Sequence, residues 1–269
     1  MVQPHNEAAA DVWGHSGAAY DFISFGLSDG LSHAVQALWP RAGEQILDVA
    51  TGTGWTARLA AQQGATVTAV DIADPLLEAA RQLSSHIEPA ITFRHADAEA
   101  LPFQDAAFDG VISTYGVMFA GRPQVAAAEL SRVTKSGGRL VLLTWLDDTE
   151  GYIPSFFAMI GRYAGGPPPE VSPLVWGNAE WLTETLGGHF DLAINERITT
   201  LLAPDEDTLW DKYRRGFGPM DRAISGLDDD AVRAFQQDFK DLHAAYDTGH
   251  GLVIDRKALL VQGTRHVPD

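Results

Sequence analysis

The sequence predicts an α/β fold in which a parallel β-sheet carries helices on both faces. Between residues 45 and 145, short apolar runs alternate with stretches of helical length. Strands that alternate with helices in this way pair in parallel, and their crossovers are right-handed. Three successive strands also end in an aspartate, so acidic side chains are expected at one edge of the sheet.

The elements of this region follow one another at regular spacing. Gly64 and the glycine pair at 137–138 mark helix ends, and Asp74 fits an N-cap ahead of Pro75. The predicted order is strand 45–50, helix 55–64, strand 65–71, helix 74–86, strand 90–97, strand 108–114, helix 122–138 and strand 139–145.

Beyond residue 146 the pattern changes. Residues 147–189 are rich in glycine, proline and aromatic residues, and the three prolines at 167–169 favour a stiff turn. A strand is predicted at 190–203, two amphipathic helices follow it, and a strand at 258–266 closes the fold. We interpret 147–189 and 204–250 as lids over the ligand edge of the sheet, with plain structural packing as an equally weighted alternative.

Charge and composition disfavour several classes of function. Acidic residues outnumber basic ones 36 to 19, giving a net charge of -17, so nucleic acids and anionic membranes are poor partners. The sequence has no cysteine, which excludes thiolate nucleophiles and thiolate metal sites. No apolar run reaches the roughly 20 residues of a membrane span and no signal peptide is evident, so we expect a cytoplasmic protein without stable membrane insertion.

The stretch ILDVATGTGWTA, residues 46–57, indicates a loop that binds a nucleotide-like ligand. Gly52, Gly54 and Ala57 match the pattern G-x-G-x-x-G/A of dinucleotide sites, and the same glycines suit a loop for S-adenosylmethionine. Asp48 favours the second ligand, because a carboxylate opposes a pyrophosphate but stabilises an ammonium and a sulfonium. Asp71 suits the ribose of either ligand, whereas Asp97 can accept a hydrogen bond from an adenine amino group.

Five stretches together resemble the successive motifs of class I S-adenosylmethionine-dependent methyltransferases. They are LDVATGTGWTARLA, VTAVDIADPLLEAAR, ADAEALPF, FDGVISTYGVMF and ELSRVTKSGGRLVLLTW. The sequence is most similar to the small-molecule branch that contains the ubiquinone/menaquinone-biosynthesis C-methyltransferases. The resemblance covers residues 12–146, with Ala50 standing where many members have the first glycine, and residues 147–250 match no motif.

This resemblance implies a Rossmann-like, seven-stranded, mostly parallel sheet whose last strand is antiparallel. From the length of the chain and the change of pattern after residue 146, we expect a single domain over 1–269 with an inserted helical cap. Its expected parts are an N-terminal helical lid at 1–40, a cofactor-binding core at 41–146, a cap and substrate-pocket region at 147–250 and a closing strand at 251–269.

The resemblance further implies S-adenosylmethionine as the cofactor and assigns residues to it. The methionine portion is expected to be bound by Asp48 and by the loop residues Ala50, Thr51, Gly52, Thr53 and Gly54. The ribose and adenine are expected to be bound by Asp71, Ile72, Asp97 and Ala98. Thr114 and Tyr115 line the methyl-donor end, and Tyr20 matches an N-terminal aromatic residue that closes over the cofactor.

Methyl transfer from a sulfonium is an in-line displacement, which positioning and desolvation can catalyse. A general base is needed only when the acceptor must lose a proton early. The candidates for the acceptor pocket are His15, Tyr20, Tyr115, Trp145 and His243, and we take Tyr20, His15 and Tyr115 as the catalytic candidates. No metal site is expected.

The acceptor is expected to be a small molecule that is apolar or neutral. Aromatic residues of the cap motivate this expectation: Tyr152, Phe156, Phe157, Tyr163, Trp176 and Trp181. A quinone or lipid-like acceptor is a narrower version. A protein that binds S-adenosylmethionine without transferring methyl, and a nicotinamide-dependent oxidoreductase, remain alternatives. The oligomeric state stays open, with a homodimer among the alternatives.

Overall fold

The computed structural model describes residues 2–165 and 169–267, so most of the turn predicted at 167–169 lies outside the described residues. The described strands are β1 Gln45–Val49, β2 Thr66–Asp71, β3 Thr92–His95, β4 Phe108–Thr114, β5 Thr134–Trp145, β6 Phe190–Ala203 and β7 Leu252–Arg265. The described α-helices are α1 Glu7–Gly14, α2 Asp21–Phe25, α3 Ser28–Leu38, α4 Trp55–Ala61, α5 Asp74–Leu83, α6 Pro123–Val133, α7 Tyr152–Gly161, α8 Ala179–Leu186, α9 Glu206–Gly216, α10 Gly218–Ile224 and α11 Asp229–Ala244.

The strands form one seven-stranded sheet in the order β3-β2-β1-β4-β5-β7-β6. Strands β1 to β5 pair in parallel, whereas β7 runs antiparallel to both β5 and β6. The predicted mostly parallel sheet with an antiparallel closing strand is therefore confirmed. The strand order reverses between β1 and β4, and ligands of open α/β sheets bind at such a reversal.

Several boundaries and one helix cap differ from the sequence prediction, most clearly at α6, β7 and α5. Helix α6 ends at Val133 and β5 begins at once, because Thr134 already pairs with Phe108. Strand β7 starts at Leu252, six residues earlier than predicted, because it pairs with β6 over its whole length. Asp74 is not the N-cap of α5: the cap is Ala73, and the Asp74 carboxylate lies 3.5 Å from the ring of His95.

Some helices pack on the sheet, and others pack mainly on one another. Helix α3 packs on β4 to β7 and on α4, whereas α6 packs on β4 and β5, and α8 packs on α6 and β6. Helices α7, α9, α10 and α11 pack on one another and form what we call the cap. Strand β6 lies between cap helices in sequence, yet it is the outermost strand of the sheet. No described helix combines the length and apolar character needed to cross a membrane.

The N-terminal segment, residues 2–38, lies between the cap and the sheet. Helix α1 packs on α10, and the ring of Trp13 lies 5.6 Å from that of Phe217. Helix α2 packs on α9, and α3 packs on the sheet. The cap thus meets the ligand edge of the sheet through these N-terminal helices.

Candidate active site

A cavity lies at the carboxyl ends of β1 to β4, beneath the N-terminal segment. It contains about 940 Å³ of empty space, counting the part open to solvent. The strand ends and their loops contribute Ala50, Thr51, Gly52, Trp55, Thr56, Val70, Asp71, Ile72, Leu76, Ala96, Asp97, Ala98, Thr114, Tyr115, Gly116, Val117, Phe119 and Ala120. The N-terminal segment contributes Asn6, Ala9, Trp13, Tyr20, Ser24, Leu27 and Leu31.

The loop after β1 turns sharply beside this cavity. Ala50, Gly52 and Gly54 all have positive φ, at 57°, 57° and 83°. Gly52 is further confined, because a Cβ built on it would lie 3.2 Å from Cε1 of Tyr20. Its backbone N–H donates to Oδ2 of Asp71 at 2.8 Å, so the carboxylate that ends β2 fixes the loop. Glycine is needed here both for its backbone conformation and for the close approach of the ring.

Asp48 lies directly behind this loop and is 1% exposed. Its Oδ2 accepts a hydrogen bond from the Thr51 hydroxyl at 2.6 Å, whereas its Oδ1 has no partner in the described part of the chain. Burial raises the pKa of Asp48 to about 7, and the nearby charge of Asp71 adds to this rise. Asp48 does not line the cavity, so its carboxylate can favour a cationic group of a ligand only across the loop.

The carboxylates of Asp71 and Asp97 line the cavity and are held by backbone and side-chain donors. Asp71 accepts from the N–H of Ala73 at 2.9 Å as well as from Gly52, and burial raises its pKa. Asp97 accepts from the N–H of Gln3 and the amide of Asn6, each at 2.9 Å, through Oδ2. The residue expected at the adenine therefore also holds the start of the N-terminal segment.

Two tyrosines line the cavity. Tyr20 lies over Gly52, and burial raises the pKa of its hydroxyl far above neutrality. Tyr115 stacks on Trp145 with ring centroids 4.0 Å apart, and its hydroxyl is 2.9 Å from Oγ1 of Thr199. Burial also raises the pKa of Tyr115. Neither hydroxyl is poised to act as a base near neutral pH.

Most of the predicted cofactor residues line the cavity. Those that do are Tyr20, Ala50, Thr51, Gly52, Asp71, Ile72, Asp97, Ala98 and Thr114. Asp48, Thr53 and Gly54 stand in or behind the same loop without lining it. Their buried side chains and backbone hold the loop in place.

Three of the residues predicted for the acceptor pocket do not line the cavity. His15 lies on the outer side of the N-terminal segment, with Nδ1 3.0 Å from Oδ2 of Asp221. Trp145 stands behind Tyr115. His243 is fully buried in the cap, where its Nδ1–H donates to the carbonyl of Phe239 at 2.6 Å.

The cap aromatics expected at the acceptor do not line the cavity in the described ranges 2–165 and 169–267. They pack on one another instead, as Tyr152 does on Phe156 and Tyr163 does on Phe235. The apolar wall is built from the N-terminal segment, with Leu27 and Leu31 one helical turn apart. That four-residue apolar spacing is the signal that sequence reasoning missed.

Comparison with known proteins agrees with this geometry. The model of the methyltransferase domain family matches residues 47–142, which span β1 to most of β5. An uncharacterised protein of Mycobacterium tuberculosis is 33% identical over 199 residues, which are 73% of this chain and 72% of that protein. Demethylmenaquinone methyltransferase of Clavibacter sepedonicus is 35% identical over 154 residues, which are 56% of this chain and 61% of that enzyme.

Solved structures show the same fold. The crystal structure of the YcgJ protein from Bacillus subtilis aligns with a TM-score of 0.62 and 22% identity, covering 88% of this chain and 98% of that one. The match to the methyltransferase domain and the fold together identify an α/β methyltransferase. The chain belongs to the class I S-adenosylmethionine-dependent methyltransferases. The nicotinamide-dependent oxidoreductase is thereby set aside.

Proposed function

We propose that the chain transfers the methyl group of S-adenosylmethionine to a small-molecule acceptor inside this cavity. The observation that carries the proposal is the cavity that the glycine loop after β1 lines together with the carboxylates of Asp71 and Asp97. Bound S-adenosylmethionine supplies a methyl group already activated by the positive sulfur. The loop 50–54 would hold its zwitterionic amino-acid end, and the buried Asp48 behind the loop would favour the ammonium group of that end.

The other predicted cofactor residues line the cavity. Asp71 would bind the ribose hydroxyls, since its carboxylate ends β2 beside the loop. Ile72, Asp97 and Ala98 would enclose the adenine. The arrangement supports a cofactor that lies along the carboxyl ends of β1, β2 and β3.

The remaining wall supports an acceptor with an apolar body. Trp13, Leu27, Leu31 and Phe119 line it, and none of the described histidines does. The chain therefore acts by holding the acceptor in line and excluding water rather than by removing a proton. We propose that Tyr20 and Tyr115 shape and close the site, and we assign no role in it to His15.

A quinone or lipid-like acceptor is the narrower form of this proposal. Phe22 and Phe25 of α2 are 66% and 65% exposed at the side of the N-terminal segment, and Phe25 lies 6.1 Å from the ring of Trp55. Exposed aromatic residues beside a cavity suit an apolar acceptor. An acceptor panel should therefore contain quinols, phenols, amines and carboxylic acids, each assayed with and without S-adenosylmethionine.

The first test is thermal unfolding with S-adenosylmethionine, S-adenosylhomocysteine, NAD or no ligand. A ligand at about 100 times its Kd adds about 2.7 kcal/mol of stability, which raises Tm by a few degrees in a chain of this size. We expect the two adenosyl sulfur compounds to stabilise and NAD not to. Stabilisation by NAD alone would refute the proposal, and cofactor binding with no transfer to any acceptor would favour a binding protein without transferase activity.

A further inference from the structure

A single carboxylate joins the N-terminal segment to the loop after β1. Asp21 is the first residue of α2 and follows Tyr20 directly. Its Oδ1 accepts hydrogen bonds from the Thr53 hydroxyl at 2.9 Å and from the indole N–H of Trp55 at 2.7 Å. Nη2 of Arg58 lies 3.7 Å from the same oxygen. Three groups of the loop and of α4 therefore converge on one oxygen atom of the N-terminal segment.

These groups are themselves fastened to the loop that the cofactor needs. Thr53 stands between Gly52 and Gly54, whose positive φ values shape the turn. Arg58 donates to the carbonyl of Thr53 at 2.6 Å and lies 5.2 Å from the centre of the Trp55 ring. The Asp21 carboxylate is thus linked to the loop through the side chains of Thr53 and Trp55 and through the guanidinium of Arg58. A hydrogen bond to a charged group is stronger than one between neutral groups.

The same contact fixes the ring that covers the loop. Tyr20 precedes Asp21, and its ring leaves no space for a side chain at Gly52. Ser24, one turn further along α2, lines the cavity, and its hydroxyl is 3.4 Å from that of Thr53. If Asp21 released the loop, Tyr20 and Ser24 would lose their anchor beside the cavity.

We propose that Asp21 is a positioning residue that couples closure of the N-terminal segment to cofactor binding, an inference that rests on the proposed function. Asp21 does not line the cavity. It acts through Thr53 and Trp55, which hold the loop, and through Tyr20, which covers it. Cofactor binding that fixes the loop in this conformation then also fixes the N-terminal segment.

The test compares Asp21→Asn with the wild-type chain and with Asp11→Asn. Asp11 is a matched control, because it lies on the same N-terminal segment and its carboxylate is paired, among the described residues, only with the exposed Arg222, at 3.3 Å. Trp55→Phe is a second variant that keeps the ring and removes one of the donors to Asp21. Calorimetry gives the Kd of S-adenosylmethionine and S-adenosylhomocysteine, and unfolding without ligand gives the stability of each variant.

Chymotrypsin supplies a readout that is independent of turnover. Residues 1–40 contain no lysine or arginine, so trypsin cannot report on this segment, whereas Phe22 and Phe25 are exposed. Saturating cofactor should slow cleavage of the N-terminal segment in the wild type and in Asp11→Asn. In Asp21→Asn we expect about tenfold weaker cofactor binding, at the low end of a charged hydrogen bond, and no such protection.

Each outcome decides the inference. Weaker binding with lost protection in Asp21→Asn, and a smaller change in the same direction in Trp55→Phe, would support it. Wild-type affinity and protection in both variants would overturn it, as would a loss of stability without any change in affinity. If Asp21→Asn does not fold, protection of Trp55→Phe from chymotrypsin at saturating cofactor decides, because Trp55 also lines the cavity and its Kd alone would not separate the two roles. If the wild type binds neither adenosyl compound, the proposed function itself fails, and the coupling fails with it.

Discussion

Replacing Asp48 with asparagine should uncouple two properties of the site, namely stability without ligand and affinity for the cofactor. Asparagine has nearly the same shape and can still accept the hydrogen bond from Thr51. It cannot ionise, however, and it offers no charge to a cationic ligand. The variant should therefore lose the pH dependence that a buried carboxylate gives the folded protein.

The magnitude follows from the shifted pKa. Burial raises the pKa of Asp48 from 3.8 to about 7. Between these values the folded protein binds the proton more tightly than the unfolded chain, so stability falls as the pH rises through this window. A tenfold change in proton affinity equals about 1.36 kcal/mol, so the full effect is about 4 kcal/mol above pH 7.

The assay is urea unfolding of the wild type and of Asp48→Asn at intervals from pH 4 to pH 8, without ligand. All other titrating groups are common to the two chains, so the difference between their free energies of unfolding isolates Asp48. We expect this difference to move in favour of the variant by about 4 kcal/mol across the range. A difference that stays constant with pH would refute the argument, because Asp48 would then be ionised as readily in the folded protein as in the unfolded chain.

Three further substitutions test the site. Gly52→Ala should weaken binding of S-adenosylmethionine and cost about 1 kcal/mol of stability, because φ of Gly52 is 57° and the new Cβ would crowd an aromatic ring. Gly43→Ala is the control, because Gly43 has φ 83° and a Cβ there would meet no atom within 4 Å. The control should show the stability cost alone. Tyr115→Phe should lose about 1 kcal/mol of stability with its bond to Thr199 and keep the wild-type Kd for the cofactor in calorimetry, whereas a large loss of kcat would make its hydroxyl catalytic. His15→Ala should leave kcat and KM unchanged between pH 6 and pH 8, and a lost or shifted pH profile would restore this histidine as a base.

The parts of the site that could be predicted from sequence are those coded by neighbouring residues. Three features lie within 27 residues: an apolar run that ends in Asp48, a glycine turn and a second apolar run that ends in Asp71. Their order and spacing alone predict a strand, a tight loop and a second strand. Parallel pairing of β1 with β2 then brings both carboxylates to one edge, as predicted. The bond from Thr53 to Asp21 joins residues 32 positions apart, and an aspartate at the start of a helix also reads as an ordinary cap.

The cap aromatics show a different limit. Their number predicts burial, but aromatic side chains bury equally well against one another as against a ligand. In the structure the ring of Phe156 lies 5.2 Å from that of Tyr213 and 6.4 Å from that of Phe239, which fills the centre of the cap. Composition alone does not choose between these two kinds of partner, and in the structure these rings do not line the cavity.

The cap can nevertheless affect the proposed acceptor wall, because it packs on a residue that lines the cavity. A Cβ on Gly218 of α10 would lie 2.4 Å from the carbonyl oxygen of Val12, so the two helices touch along their backbones. Trp13, the next residue, lines the cavity and packs on Phe119 at 4.6 Å and on Phe217 of the cap. A displacement of α10 must therefore move or repack Trp13, because close-packed interiors transmit such changes. Substitutions around Phe217 therefore reach the proposed acceptor wall through Trp13, and they should alter acceptor KM before they alter affinity for the cofactor.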